Sequence, residues 1–233
     1  MLHLNFEELK LDRALIEVRF KDNFKVGLQE VRFKMLEKLT KKYAMYDSEN
    51  AEALAFFNPE KKIHLVIQLN RCAITCEEPT NLIEFIKSAK ADFSFIFKQL
   101  EIDSLLRVGM RTFNFFEGPD QKAIEQFIFK EYLSAGVCSP DFAEEYFSPE
   151  IKLSGKKNGL LFNLAISHQQ HQVIEGIINE VMNNKITNSL VVDFDCYKEN
   201  TRVSKFETLL TTAHSLNNDC LAYLKAVKKG AMV

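Results

Sequence analysis

Tryptophan is absent from the 233 residues, glycine (8) and proline (5) are sparse, and neither sign of charge prevails: 30 Lys and Arg face 32 Asp and Glu, a net charge of -2. With hydrophobic residues at 46% and charged residues at 27%, this composition excludes a collagen-like or wholly disordered chain. The balanced charge leaves no basic excess of the kind a dedicated nucleic-acid domain carries, which disfavours nucleic acid as a partner. No uncharged apolar run approaches the roughly 18 residues of a membrane span, so no membrane role is expected. The start, Met1 to Phe6 followed by Glu7 and Glu8, lacks the cationic region, apolar stretch and cleavage site of a secretory signal. Cysteine is present in an odd number, at 72, 76, 138, 196 and 220, and reads as reduced thiols packed as small hydrophobes. The expected location is cytoplasmic. No glycine-rich phosphate loop, nucleophile elbow or zinc-protease helix motif occurs, so no catalytic residue, cofactor or metal is predicted.

Twenty phenylalanines point instead to a core built on Phe and Leu. The first element is a strand in which Ala14, Ile16, Val18 and Phe20 alternate with Leu15, Glu17 and Arg19. Asp22 or Asn23 should cap a helix whose apolar positions Leu28, Val31, Met35, Leu36 and Leu39 follow the 3.6 period, ending near Tyr43. Leu54 to Phe57, Ile63 to Leu69 and Cys72 to Cys76 read as a three-stranded antiparallel meander. Asn81, with Glu84 three residues on, predicts the start of a helix over Leu82 to about Leu100.

A long strand, Leu105 to Phe116, follows, and Gly118 with Pro119 opens a helix to about Leu133. Ser134 to Pro149 reads as the longest irregular connection. Strands are expected at Tyr146 to Leu153, Leu160 to Ser167 and Leu190 to Tyr197; Val173 to Met182 fits helix or hairpin, with strand preferred. Ser204 and Glu207 have capping-box spacing before a final helix carrying the stripe Phe206, Leu209, Leu210, Ala213, Leu216, Cys220, Leu224 and Val227. That stripe predicts burial of Leu209, Leu210, Ala213 and Leu224 against the sheet.

The element order thus runs strand, helix, strands, helix, and then repeats from residue 105. The expected class is α+β: duplicated strand-helix-strands-helix units, residues 1–104 and 105–233, forming a mainly antiparallel sheet with helices packed on one face, the two halves making one compact domain with an internal pseudo-repeat. Three patches carry a resemblance: Ala14-Leu15-Ile16-Glu17-Val18-Arg19-Phe20, Arg107-Val108-Gly109-Met110-Arg111-Thr112-Phe113-Asn114, and Val192-Asp193-Phe194-Asp195-Cys196-Tyr197. In order and spacing they resemble a sporadically distributed family of bacterial and archaeal proteins for which no activity is established. Its scattered occurrence resembles that of mobile or defence-associated genes. The duplicated order is also similar to the TATA-binding-protein fold and, more loosely, to helix-grip folds, which bears on fold and not on function.

The strongest polar pattern lies on two strands. Arg107, Gly109 and Arg111 share one face, as do Asp193 and Asp195. Their two readings are a structural cross-strand network, with Glu17 a further partner, or a ligand site in which the arginines hold an anion and the aspartates a divalent cation. Arg107 and Arg111 also share their face with Phe113 and Phe115, which suits a planar or anionic group or an acidic partner segment. Cys72 and Cys76, about 13 Å apart in a strand at ~3.3 Å per residue, are too distant for a disulfide or shared zinc. His168 and His171 suit an exposed hairpin tip, and His64 and His214 suit structural roles. Two functions remain: a non-enzymatic interaction module for a protein partner or a second copy of the chain, and a pocket protein or enzyme with Arg107, Arg111, Asp193 and Asp195 inside a cavity. An open sheet face with Phe113 and Phe115 favours the first; an enclosed cavity favours the second.

Overall fold

The computed structural model describes residues 9–118, 120–132, 148–175 and 183–227. Among them the chain forms a mixed α+β fold with one antiparallel sheet of nine strands and four α-helices. The order is β1 (Lys10–Arg19), α1 (Gln29–Leu39), β2 (Met45–Asp47), β3 (Ala53–Asn58), β4 (Ile63–Gln68), β5 (Arg71–Glu77) and α2 (Leu82–Leu100). Then come β6 (Ser104–Gly118), α3 (Gln121–Tyr132), β7 (Ile151–Lys157), β8 (Leu160–Glu175), β9 (Asn183–Arg202) and α4 (Phe206–Val227). Across the sheet the strands lie β2-β3-β4-β5-β1-β6-β9-β8-β7, so β1 and β6 meet at the middle.

Local chemistry accounts for the element ends. Asn81 Oδ1 accepts from the Ile83 and Glu84 amides, which otherwise have no helical partner, and α2 stops at Glu101 in the left-handed region (φ 53°). The Asp120 side chain accepts from the Ala123 amide at the start of α3. Between β7 and β8, Asn158 (φ 52°) and Gly159 (φ 78°) both take positive φ, the backbone that a two-residue hairpin turn demands. The alternating residues Ala14, Ile16 and Val18 of β1, Val108 and Met110 of β6, and Val192, Phe194 and Cys196 of β9 are buried in one core. Phe206 closes that core edge-on to Phe93 and Phe97, at ring separations of 5.2 and 5.1 Å. Helix α4 packs against β6 and β9, and the Thr112 hydroxyl donates to Asn217 Oδ1 at 2.7 Å.

Several expectations change. Asn23 caps a 3-10 turn, Phe24–Gly27, before α1 begins, and α1 stops at Leu39, short of Tyr43. Leu28 is therefore exposed, standing ahead of the helix whose stripe it was expected to share. Strand β2 is a further element, three exposed residues whose pairing with β3 comes from backbone bonds and not from apolar alternation. His168 sits within the long β8, opposite Leu190, instead of at a hairpin tip; pairing with β9 extends the strand past the point where alternation fades. The strand expected from Tyr146 lies at Ile151–Lys157, and Leu209 of the final stripe is half-buried while Leu210, Ala213 and Leu224 are buried. Val173 to Glu175 belong to β8; the rest of the ambiguous stretch to Met182, most of the irregular connection Ser134 to Pro149, Pro119, Leu133 and Cys138 lie outside the described residues.

Candidate functional site

The pairing of β1, β6, β9 and β8 places odd-numbered residues in cross-strand rows on the face opposite the core. Leu15, Arg111, Asp195 and Asn163 form one row; Glu17, Gly109, Tyr197 and Leu161 the next; Arg19, Arg107 and Glu199 a third. Strand adjacency thus brings together Arg107, Arg111, Asp193 and Asp195, residues separated by more than eighty positions.

Neither arginine bonds the residue directly across from it. Arg107 is level with Glu199, yet its guanidinium lies forward along β6 over Gly109, where Nη2 donates to Asp195 Oδ1 (3.1 Å) and Oδ2 (2.8 Å) and Nη1 to Glu17 Oε1 (3.2 Å). Gly109 makes this possible. A Cβ there would stand 3.2 Å from Arg107 Cζ and Nη1 and 3.3 Å from Tyr197 Cβ, so a side chain would crowd the guanidinium and make it shift by a few tenths of an ångström. Arg111 is level with Asp195 but donates to Asp193 through Nε to Oδ1 (2.8 Å) and Nη2 to Oδ2 (2.5 Å). The Arg111–Asp193 pair has the two-pronged geometry that a planar guanidinium and a carboxylate favour, whereas Arg107 shares the single Nη2 between both Asp195 oxygens and spends Nη1 on Glu17. Aromatic faces support the cations: Arg107 Cζ lies 4.5 Å from the Tyr197 ring centroid and Arg111 Cζ 4.7 Å from that of Phe113. Glu17 also accepts from Arg19 Nε at 2.7 Å.

The side chains of Glu17, Arg107 and Asp195 are 12, 20 and 19% exposed, against 43% for Arg111. Burial raises the Asp195 pKa above the ordinary aspartate value; Arg107 and Arg111 oppose the rise, while Asp193 and Glu17 add to it. The hydrogen bond to Asp193 holds Arg111 still more firmly protonated. A depression of about 430 Å³ opens over this network, lined among others by Arg107, Arg111, Asp195 and Tyr197. Asp193 does not line it. Both aspartates are engaged by guanidinium groups, and among the described residues no group of three or more His, Cys, Asp or Glu is placed to hold a metal ion.

The remaining candidates stay apart from this network. Cys72 and Cys76 are buried on one face of β5, and burial raises both thiols above their ordinary pKa. His64 is exposed and stacks on Phe57 at 4.2 Å; His168 Nε2 lies 3.0 Å from Asn188 Oδ1; burial lowers the His214 pKa. The His171 side chain lies outside the described residues. Sequence reasoning missed Tyr197 as the seat of Arg107, although its odd position after Asp193 and Asp195 placed it on their face. It also missed a second polar cluster, where Asp92 of α2 accepts from Lys42 and, at 2.8 Å, from the Tyr43 hydroxyl. Burial and the neighbouring Asp92 carboxylate raise the Tyr43 pKa, so the phenol stays protonated and acts as a fixed donor between the end of α1 and α2. No protein-family model and no curated protein matches the chain.

Proposed function

We propose that this protein is a non-enzymatic interaction module that receives a partner polypeptide on the face of its central strands that carries Arg107, Arg111 and Phe113. The reading includes a duplicated architecture with the helices on the other face. Its support is the sheet order, in which each half sets its first strand, β1 or β6, at the centre and its later strands outward. Thr112 and Gly118, the β6 positions nearest Asn217 of α4 and Ile124 of α3, alternate with Arg107 and Arg111, as helices confined to one face require. This arrangement is similar to duplicated TATA-binding-protein-like sheets, and a fold likeness carries no ligand with it. Cytoplasmic location belongs to the same proposal, supported by the free, buried thiols Cys72, Cys76 and Cys196.

One observation carries the reading: the charges at the centre of this face, Glu17, Arg107, Arg111, Asp193 and Asp195, are already matched to each other. A small anion at Arg107 would have to displace Asp195 and Glu17, and a cation at Asp195 would have to displace Arg107. Such a surface is a stiff, polar platform for complementary docking, where matched charges select a partner more than they supply affinity. Nucleic acid is disfavoured because carboxylates stand beside the arginines. The test places a photo-crosslinking residue at exposed Asn163, beside the depression, or at exposed Lys87 on α2. Adducts with one polypeptide at Asn163 and none at Lys87 are expected in cells that produce the protein; equal adducts at both positions overturn the reading. A bound molecule of a few hundred daltons in native mass spectrometry, lost in Arg107→Ala, would favour the pocket alternative.

A further inference from the structure

Beyond the Arg111–Asp193 pair the same sheet face sinks into a second depression, of about 360 Å³. Phe113, Phe115 and Val191 give it an apolar lining, and Asp12, Arg13 and Glu117 stand around it. Val191 is 5% exposed yet does not belong to the core cluster, because it alternates along β9 with Val192, which does. The lining is therefore apolar surface that the core does not use.

Arg13 reaches this place through a backbone irregularity. The pairing of β1 with β6 shifts between Leu11 and Arg13, leaving Asp12 as an extra residue, and such bulges re-aim the side chains beside them. Past the bulge Arg13 is level with Glu77 on β5 and Phe113 on β6, and its Cζ lies 5.9 Å from the Phe113 ring centroid. Arg19, Arg107 and Arg111 each bond a carboxylate, whereas Arg13 forms no ion pair among the described residues. Glu117 likewise forms none. An apolar lining with one cation, Arg13, and two carboxylates, Asp12 and Glu117, none of them ion-paired among the described residues, complements a planar apolar group flanked by one negative and one positive charge.

We infer that this depression is the anchor pocket for one aromatic residue of the partner polypeptide, with an acidic neighbour directed to Arg13 and a basic neighbour directed to Glu117. The inference rests on the interaction reading and supplies the partner's chemistry. Buried aromatic anchors in such pockets dominate the energetics of many interfaces. A free aromatic amino acid carries similar groups, but the β6 residues of the first depression, Arg107, Gly109 and Arg111, are offset by six positions from Phe113, Phe115 and Glu117 of the second, about 20 Å at ~3.3 Å per residue. A chain can occupy both depressions; a single amino acid cannot.

Because the protein has no tryptophan, a capped peptide of sequence Gly-Ser-Glu-Trp-Lys-Ser-Gly reports its own binding through tryptophan emission and anisotropy. Saturable binding to the native protein is expected, weakened about tenfold or more by Arg13→Glu and restored toward the native value when the peptide Glu is replaced by Lys. Glu117→Lys, paired with a Lys-to-Glu change in the peptide, gives the same exchange at the opposite side should Arg13→Glu fail to fold. Absence of saturable binding, equal affinity in the charge-reversed variants, or free tryptophan binding as tightly as the peptide overturns the inference. Adducts confined to Asn163 alongside a silent peptide would remove this pocket and leave the interaction face standing; equal adducts at Asn163 and Lys87 would remove the face itself.

Discussion

The two faces of β6 come from the same fifteen residues and are stabilised in different ways. On one, Val108, Met110 and Thr112 are buried in the core, and Thr112 donates to Asn217 of α4. On the other, Arg107, Arg111 and Phe113 meet Asp195, Asp193 and Glu17 in a lattice of ion pairs and cation–aromatic contacts that stays within reach of water. The apolar face gains free energy from area removed from water, which is insensitive to direction. The polar face depends on angles and offsets, since a guanidinium bonds a carboxylate well only in a narrow geometry. The first face makes the fold stable, and the second gives it a surface with a defined pattern of charge.

Substitutions that act on one face and spare the other sharpen this contrast. The largest effect belongs to the core side: Leu210→Ala should cost about 2 to 5 kcal/mol, the range for a buried leucine, while half-buried Leu209→Ala should cost clearly less. Denaturant melts of the two variants decide this, and equal costs would mean that the helix is seated differently. On the polar side Arg107→Ala should cost about 1 to 3 kcal/mol, because it leaves Asp195 and Glu17 partly buried without their shared partner.

Smaller again is the pH effect of Asp195. Its pKa is raised in the folded state, so the folded protein holds the proton more tightly than the unfolded chain does. The stability this adds is full below the ordinary aspartate range and is lost as pH rises through the raised value. Asp195→Asn should therefore flatten the stability–pH curve over that interval, and an unchanged slope would contradict the assignment. Smallest is Arg111→Ala, below about 1 kcal/mol, since the Arg111 side chain is 43% exposed and the pair is screened by solvent. A loss as large as that from Arg107→Ala would erase the distinction between the two pairs.

Much of the fold was legible because periodicity is local. The helix Leu82–Leu100 follows from its Asn81 cap and its apolar spacing, and β1 from the alternation of Ala14, Ile16 and Val18 with Leu15, Glu17 and Arg19. Strand β2 was not legible, since Met45, Tyr46 and Asp47 are all exposed and carry no alternation. The extension of β8 through His168 was hidden for a related reason: its polar residues there are held by pairing with β9, a partner that local sequence does not announce. At the candidate site the like charges on each strand were readable two by two. The bulge that delivers Arg13 beside Phe113 was not, because an extra residue in a strand has no composition of its own.

The sequence by itself determined the alternation that separates Arg107, Gly109, Arg111 and Phe113 from Val108, Met110 and Thr112, since side chains in an extended chain must point to opposite sides. It determined the helix stripes for the same kind of reason, a fixed rotation per residue. Only the tertiary structure decided that β6 lies between β1 and β9, and that Arg107 bonds Asp195 across Gly109 instead of Glu199 directly opposite. Those choices depend on strand order and on the sideways reach of long side chains over a neighbouring strand, which are properties of residues distant in sequence and brought together by the core beneath them.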